Sequence, residues 1–262
     1  MIEDIEYACA NDISLLLDLY PARSPRGPQP VVIWIHGGGW NAGDKRPCLP
    51  ESLTHHGCAV ACINYRLRDQ APFPAQLHDC KAAVRFLRAH AQQYGLDPER
   101  IGAAGHSAGG HLAALLGTTA DMPELEGDVG GLSASTRVQA VCTMAGPSDL
   151  IRMALAKGPS SAKSPDSATA KLLGGPVLDN QDKARYASPA TYVSSQAAPF
   201  LILHGDEDQL VPFEQGQILH DALAAAGGES ILHSIPGGDH VGWEYDDDIH
   251  ALMRQFFDDH LT

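Results

Sequence analysis

One serine of the chain, Ser107, has the neighbours that a nucleophilic hydroxyl needs. Residues 105–109 read Gly-His-Ser-Ala-Gly, an apolar run at 101–104 precedes them, and an Ala- and Leu-rich run at 111–116 follows. This pattern predicts a strand, a sharp turn and a helix, the context in which Gly-x-Ser-x-Gly exposes its serine. A Cβ at either glycine would collide with neighbouring backbone in so tight a turn. We therefore predict that Ser107 is a nucleophile and that the amide of Ala108, at a helix N-terminus, points at an oxyanion.

Because the five-residue pattern is short, it also fits an ordinary strand-to-helix turn in which the serine only caps the helix. A second glycine-rich stretch favours the catalytic interpretation over this one. Residues 31–35, Val-Val-Ile-Trp-Ile, predict a strand buried on both faces and lead directly into His-Gly-Gly-Gly-Trp. Amides of successive glycines can converge on one point, so we assign Gly38 and Gly39 as further oxyanion donors, with a flexible turn as the alternative. His36 is expected to hold this loop by a side-chain hydrogen bond, and Trp40 either lines the substrate pocket or packs.

Acyl transfer at a serine also needs a base and an acid that orients the base. Of the thirteen histidines, His240 stands in a glycine-rich loop after the last predicted strand and is the predicted base. Asp206 and Asp208 both follow the predicted strand that comes before the last one. Charge alone does not decide which of the two is the acid. Asp149, after another strand, is a weaker candidate. The order Ser, Asp, His is that of the α/β-hydrolases.

Strand-like and helix-like runs alternate along most of the chain. They predict an α/β fold with a mostly parallel sheet and helices on both faces, in a single domain over residues 1–262. The runs at 2–8 and 13–19 predict an antiparallel hairpin at the sheet edge, and a helix is expected from about residue 75 to residue 94. Residues 151–191 are hard to interpret; we expect this excursion to lie over the elbow and shape the pocket.

Composition narrows the possible partners and the compartment. The chain has 262 residues, is 44% hydrophobic, carries a formal net charge of −14 and has no long basic run. These features argue against nucleic acid and anionic membranes as partners; the oligomeric state stays open. The acidic N-terminus is unlike a signal peptide, so a cytoplasmic protein is expected, or a secreted one if a leader has been removed. We expect buried free thiols rather than a disulfide or metal site from the six cysteines, Cys9, Cys48, Cys58, Cys62, Cys80 and Cys142.

Several segments together resemble α/β-hydrolase esterases of the bifunctional feruloyl and acetyl xylan esterase group and, less closely, the hormone-sensitive-lipase-like esterases. They are residues 36–40, 64–67, 71–84, 94–116 and 204–212. The resemblance implies an α/β-hydrolase fold. The hormone-sensitive-lipase-like enzymes carry an N-terminal helical cap, but the N-terminus of this chain is strand-like, so we expect a small cap or none and a more open site. The resemblance also implies that Asp208, fifth in His-Gly-x-x-Asp-x-x-Val-Pro, is the acid, that Gly38 and Gly39 donate to the oxyanion, and that His240 is the base. The hormone-sensitive-lipase-like enzymes usually read Gly-Asp-Ser-Ala-Gly, whereas this chain has His106.

The combined features predict a serine carboxylesterase that cleaves short-acyl esters without a metal or organic cofactor. Acetyl or feruloyl groups, on a small molecule or on plant polysaccharide, are what the resemblance implies. An arylformamidase acting on N-formylkynurenine is an alternative, and a non-catalytic hydrolase fold that binds a small ligand is another. Because free histidine titrates near ~6.5, activity is expected to rise with pH through that range. Tyr65, Arg66, Asp149 and residues 151–191 have no assigned role.

Overall fold

The computed structural model describes residues 1–25 and 27–261, and eight strands within them form one sheet. The strands are β1 (Ile2–Ala10), β2 (Ile13–Tyr20), β3 (Gln29–Ile35), β4 (Ala59–Ile63), β5 (Leu96–His106), β6 (Ala140–Met144), β7 (Phe200–Gly205) and β8 (Ser230–Ile235). Their spatial order is β1-β2-β4-β3-β5-β6-β7-β8. The pairs β1/β2 and β2/β4 are antiparallel, and every later pair is parallel. The predicted N-terminal hairpin is present, and β1 is an edge strand.

The helices connect these strands and cover the sheet. They are α1 (Ala75–Ala89), α2 (Ala91–Tyr94), α3 (Ala108–Thr118), α4 (Pro123–Glu126), α5 (Leu150–Ala156), α6 (Pro159–Ala162), α7 (Ala168–Leu173), α8 (Gln181–Tyr186), α9 (Glu214–Ala225) and α10 (Asp247–Leu261). Short 3-10 helices span Leu49–His56, Val177–Asp179, Pro189–Tyr192 and Trp243–Tyr245. In the described part of the chain, no helix combines the length and apolar character that crossing a bilayer requires.

The two faces of the sheet bury separate apolar clusters. In β3, Ile33 and Ile35 point to one face and pack with residues of α1, α3 and α9, whereas Val32 and Trp34 point to the other face and pack with α10. This alternation follows from the two-residue repeat of a strand, and burial of both sides explains why β3 reads as an unbroken apolar run. The predicted fold class, a mostly parallel sheet with helices on both faces, is confirmed.

Two element boundaries differ from the predictions. The helix expected over residues 75–94 is interrupted at His90, where the Phe86 carbonyl accepts hydrogen bonds from both the backbone N–H and the Nδ1 of His90, each at 2.9 Å. A side chain that competes for a helix carbonyl weakens the regular ladder. The strand expected at 101–104 begins earlier, because Leu96 already pairs with Gln29 across an irregularity in register.

The excursion between β6 and β7 carries α5 to α8 and a small apolar cluster of its own. Leu150, Leu173, Val177 and Ala184 are buried there, together with Val211 from the segment after β7. The contact with Val211 joins the excursion to the polypeptide that follows β7, at the carboxyl end of the parallel strands. Ligands of open α/β sheets bind at this end.

Candidate active site

The turn between β5 and α3 has the geometry of a nucleophile elbow. Ser107 has φ 56° and ψ −119°, a conformation that residues with a Cβ rarely adopt. A Cβ on Gly105 would lie 2.4 Å from the backbone of Gly109, and a Cβ on Gly109 would lie 1.9 Å from the Ile35 carbonyl oxygen. Both glycines are therefore required by close backbone packing, as their positions in the sequence predict.

Three of the predicted residues come together in one hydrogen-bonded chain. The Ser107 hydroxyl lies 2.9 Å from Nε2 of His240, and Nδ1 of His240 lies 2.7 Å from Oδ2 of Asp208. With Nδ1–H donating to the carboxylate, Nε2 is left to accept the serine proton. His240 is 8% exposed and Asp208 is 5% exposed, so bulk water competes little for these bonds.

The Asp208 carboxylate is fixed by more than the histidine. Its Oδ1 accepts the backbone amides of Leu210 and Val211 at 2.8 and 2.7 Å, and Nε2 of His204 lies 3.5 Å from Oδ2. Burial alone would raise the pKa of Asp208, but hydrogen bonds from His204, His240 and Val211 outweigh it and hold the pKa well below its ordinary value. Asp208 therefore stays charged and keeps its orientation.

The other acid candidates have different partners. Asp206 accepts the Gly237 amide at 2.7 Å and so supports the loop that carries His240. Asp149 is the N-cap of α5, where its Oδ1 accepts the amides of Ile151 and Arg152 at 3.0 and 2.9 Å. Only Asp208 of the three contacts the His240 ring among the described residues.

The glycine loop reaches the elbow, but its members differ in position. Gly39 lines the same cavity as Ser107 and Ala108, whereas Gly38 lines a separate depression together with His106. Ala108 is the first residue of α3, so its N–H has no partner within the helix. Gly39 and Ala108 therefore adjoin the serine within one cavity, whereas Gly38 does not line that cavity.

The cavity beside Ser107 has a volume of about 320 Å³ and a largely apolar wall. It is lined by Gly39, Trp40, Ser107, Ala108, Pro147, Met153, Ala154, Lys157, Ser167, Ala168, Thr169, Leu210 and Val211. Six residues of the excursion line it, as expected: Met153, Ala154, Lys157, Ser167, Ala168 and Thr169. Trp40 is among the residues that line the cavity, and its ring also packs edge-on against His111 with centroids 5.2 Å apart.

His106 has a contact that sequence reasoning missed. Its Nε2–H donates to the backbone carbonyl of His240 at 2.9 Å, and the two rings lie 5.1 Å apart. Burial lowers the pKa of His106 and favours the neutral ring, which can still donate this bond through Nε2–H. The departure from aspartate at this position was visible in the sequence, but its partner lies 134 residues away.

His36, which was expected to hold the glycine loop, and the unassigned residues Tyr65 and Arg66 make structural contacts near that loop. Nδ1 of His36 lies 2.7 Å from the Gly37 carbonyl, and the His36 ring stacks on Tyr65 at 4.4 Å. The Tyr65 hydroxyl donates to the His36 carbonyl at 3.0 Å, and buried Arg66 pairs with Asp79 at 2.6 Å. These contacts hold the end of β3 and the chain after β4 against each other, so the glycine loop starts from a fixed base.

No group of three or more His, Cys, Asp or Glu suited to a metal ion occurs in residues 1–25 and 27–261. The sheet, the serine elbow and the order of the hydrogen-bonded residues define the α/β-hydrolase class. The chain belongs to the BD-FAE family, whose model matches residues 17–223.

Comparison with individual proteins agrees with this assignment. A structure titled as a truncated carbohydrate esterase from gut microbiota is 31% identical, with a TM-score of 0.91 over 98% of this chain and 94% of that one. The acetyl ester-xyloside bifunctional hydrolase of Caldicellulosiruptor lactoaceticus is 28% identical, with a TM-score of 0.74 over 95% and 89%.

Among curated proteins, the probable carboxylic ester hydrolase LipM of Mycobacterium tuberculosis is 33% identical over 234 residues, which cover 87% of this chain and 52% of LipM. The chain thus spans about half the length of this curated relative.

Proposed function

We propose that this protein is a serine carboxylesterase in which Ser107 is the nucleophile, His240 the general base and Asp208 the orienting acid. The observation that carries the proposal is the unbroken chain from the Ser107 hydroxyl through both ring nitrogens of His240 to Asp208, with contacts of 2.9 and 2.7 Å. The names of the relatives support the same class, since they include a carboxylic ester hydrolase and a carbohydrate esterase.

The reaction follows from these positions. His240 takes the Ser107 proton as the serine oxygen attacks the ester carbonyl, and the carbonyl oxygen gains negative charge. Amides of Gly39 and Ala108, with Gly38 beside them, stabilise that charge; removing one such donor typically costs roughly a hundredfold or more in rate. His240 then gives its proton to the leaving alcohol. A water molecule, deprotonated in turn by His240, releases the acid and restores Ser107.

We propose short acyl esters, above all acetyl esters and also feruloyl esters of carbohydrates, as substrates. The cavity of about 320 Å³ is of the size that takes a small ligand group, and its largely apolar wall suits an acyl chain or ring. The carbohydrate-related titles of two structural neighbours favour a sugar as the alcohol.

The test is hydrolysis of p-nitrophenyl acetate, acetylated xylan, methyl ferulate and N-formylkynurenine by the parent protein and by Ser107→Ala. We expect the parent to cleave the acetyl esters and the variant to retain less than roughly a thousandth of that rate. Faster turnover of N-formylkynurenine than of any ester would favour the arylformamidase alternative. An inert parent whose Ser107 also fails to react with a fluorophosphonate probe would show a non-catalytic protein.

A further inference from the structure

Two cysteines lie side by side next to the glycine loop. Cys62 is fully buried in β4, and Cys48 is half-buried in the segment that runs from Trp40 to the 3-10 helix Leu49–His56. Their Sγ atoms are 2.6 Å apart, although 14 positions separate them in the chain. The sequence favours isolated buried thiols and gives no indication of this pair, because it shows no Cys-x-x-Cys spacing.

We propose that Cys48 and Cys62 are an oxidisable dithiol that closes into an intramolecular disulfide when the protein meets a small-molecule disulfide. A disulfide has a sulfur–sulfur distance of about 2.05 Å. The observed separation of 2.6 Å exceeds this by only about half an ångström, so the two sulfur atoms need to move little to form the bond.

The two thiols have unequal access, which sets the order of reaction. Burial raises the pKa of the Cys62 thiol well above its ordinary value, so this thiol stays protonated and shielded. Cys48 is half-buried and is the more exposed residue of the two, so its thiolate attacks the reagent first, forming a mixed disulfide and releasing one reagent thiolate. The Cys62 sulfur then loses its proton and displaces the second reagent thiolate from Cys48. Two protein thiols are oxidised and one reagent disulfide is reduced to two thiols.

The bond would join elements that are already held together. The Lys45 amide donates to Oδ1 of Asn64 at 2.6 Å, just after β4, and Nζ of Lys45 pairs with buried Asp18 of β2 at 3.1 Å. The segment that carries Cys48 is therefore fixed against β2 and β4 in the reduced protein as well. We expect oxidation to leave the site unchanged and to constrain mainly the unfolded chain, by closing a loop of roughly fifteen residues.

The experiment uses a Cys9→Ser protein, because Cys9 is the exposed cysteine and could form bonds between molecules. The folded protein is equilibrated with oxidised glutathione at about pH 8, unfolded, alkylated and mapped by mass spectrometry. We expect a Cys48–Cys62 cross-linked peptide, loss of two alkylatable thiols and a Tm roughly 5–10 °C higher than that of the reduced protein. Esterase turnover, if present, should change less than about twofold.

The matched control is Cys9→Ser combined with Cys48→Ser, which should keep all its remaining thiols and show no change in Tm on the same treatment. Three results would overturn the proposal: all thiols remaining free, a stable glutathione adduct on Cys48, or a cross-link at another pair. The readouts are thiol counts, peptide masses and melting temperature. They are independent of the proposed function, so an inactive protein would leave this test intact.

Discussion

At the scale of single residues, position 106 is where this chain departs from the Gly-Asp-Ser-Ala-Gly pattern. His106 donates to the His240 carbonyl, and this bond joins the elbow to the loop that carries His240, the proposed base. An aspartate there would place a carboxylate against a carbonyl oxygen, and two acceptors repel. The elbow and the loop that carries His240 are therefore arranged for a histidine at position 106, and an aspartate cannot replace it without loss of this contact.

We predict that His106→Asp lowers kcat by roughly 10–100-fold, because a shift of about 1 Å in His240 can cost a hundredfold. KM should stay nearly constant, since His106 does not line the cavity beside Ser107. His106→Gln, whose amide can still donate to the carbonyl, is the matched control and should keep most of the activity. Steady-state kinetics on p-nitrophenyl acetate measure both; equal losses in the two variants would contradict the role of this hydrogen bond.

The sequence indicated the residues of the chain from serine to carboxylate, but it could not separate Asp206 from Asp208 by charge. The family pattern selected Asp208, and the physical reason lies in the turn: amides of Leu210 and Val211 fix its carboxylate toward His240. The contact between His106 and the His240 carbonyl joins distant parts of the chain through a backbone atom. Every residue has a backbone carbonyl, so the sequence does not reveal which one a side chain will contact.

At the scale of elements, α5 controls one wall of the cavity although it is short. It spans Leu150–Ala156, and its first turn depends on the side chain of Asp149, which accepts two backbone amides. Met153 and Ala154 project from this helix into the cavity lining. An isolated helix of this length is not stable in water, so its cap and its tertiary contacts must hold it.

We predict that Asp149→Ala destabilises the protein by about 1 kcal/mol, the usual effect of losing an N-cap. The cavity wall should loosen with the helix, so KM for short esters should rise several-fold while kcat changes little. Denaturant unfolding and steady-state kinetics measure the two effects. Asp149→Asn, which can cap equally well, should match the parent; a similar loss in that variant would show that charge matters more than the cap.

The types of the elements were predictable, because the apolar runs that form strands and the helical spacing of apolar residues in α1 are strong signals. The boundaries of the elements were less predictable. The break at His90 depends on a ring nitrogen that reaches the Phe86 carbonyl, and the early start of β5 depends on Gln29 in another strand. The excursion at 151–191 was least predictable, since its short helices become stable only through contacts with one another and with Val211.

At the scale of the whole molecule, several histidines are kept neutral by the fold. Burial lowers the pKa of His36, His78 and His106, and it lowers the pKa of His111 to about 4. In the unfolded chain these groups would take up protons near pH ~6.5. Between the lowered folded values and that ordinary value, the unfolded state binds more protons than the folded state, so stability falls as pH falls.

We predict that Tm decreases as the pH falls from 7.5 to 5.5, most steeply below about pH 6.5. There, each histidine that stays neutral in the folded protein contributes about 1.4 kcal/mol per pH unit to the loss of unfolding free energy. The measurement is thermal unfolding over this range at constant ionic strength. His111→Gln removes one such group and should give a shallower dependence on pH, even if its Tm at pH 7.5 is lower than that of the parent. A variant with the parent's slope would rule out His111 as a contributor.

The backbone at Ser107 has a consequence for laboratory evolution. A residue with a Cβ held at φ 56° and ψ −119° typically costs on the order of 1–3 kcal/mol, whereas glycine accepts such a conformation more readily. In a library screened only for survival on heating, glycine at this position would therefore be enriched, and each enriched clone would lack the hydroxyl. Thermostable variants of this protein should accordingly be selected by turnover after heating, so that each round keeps the strained serine.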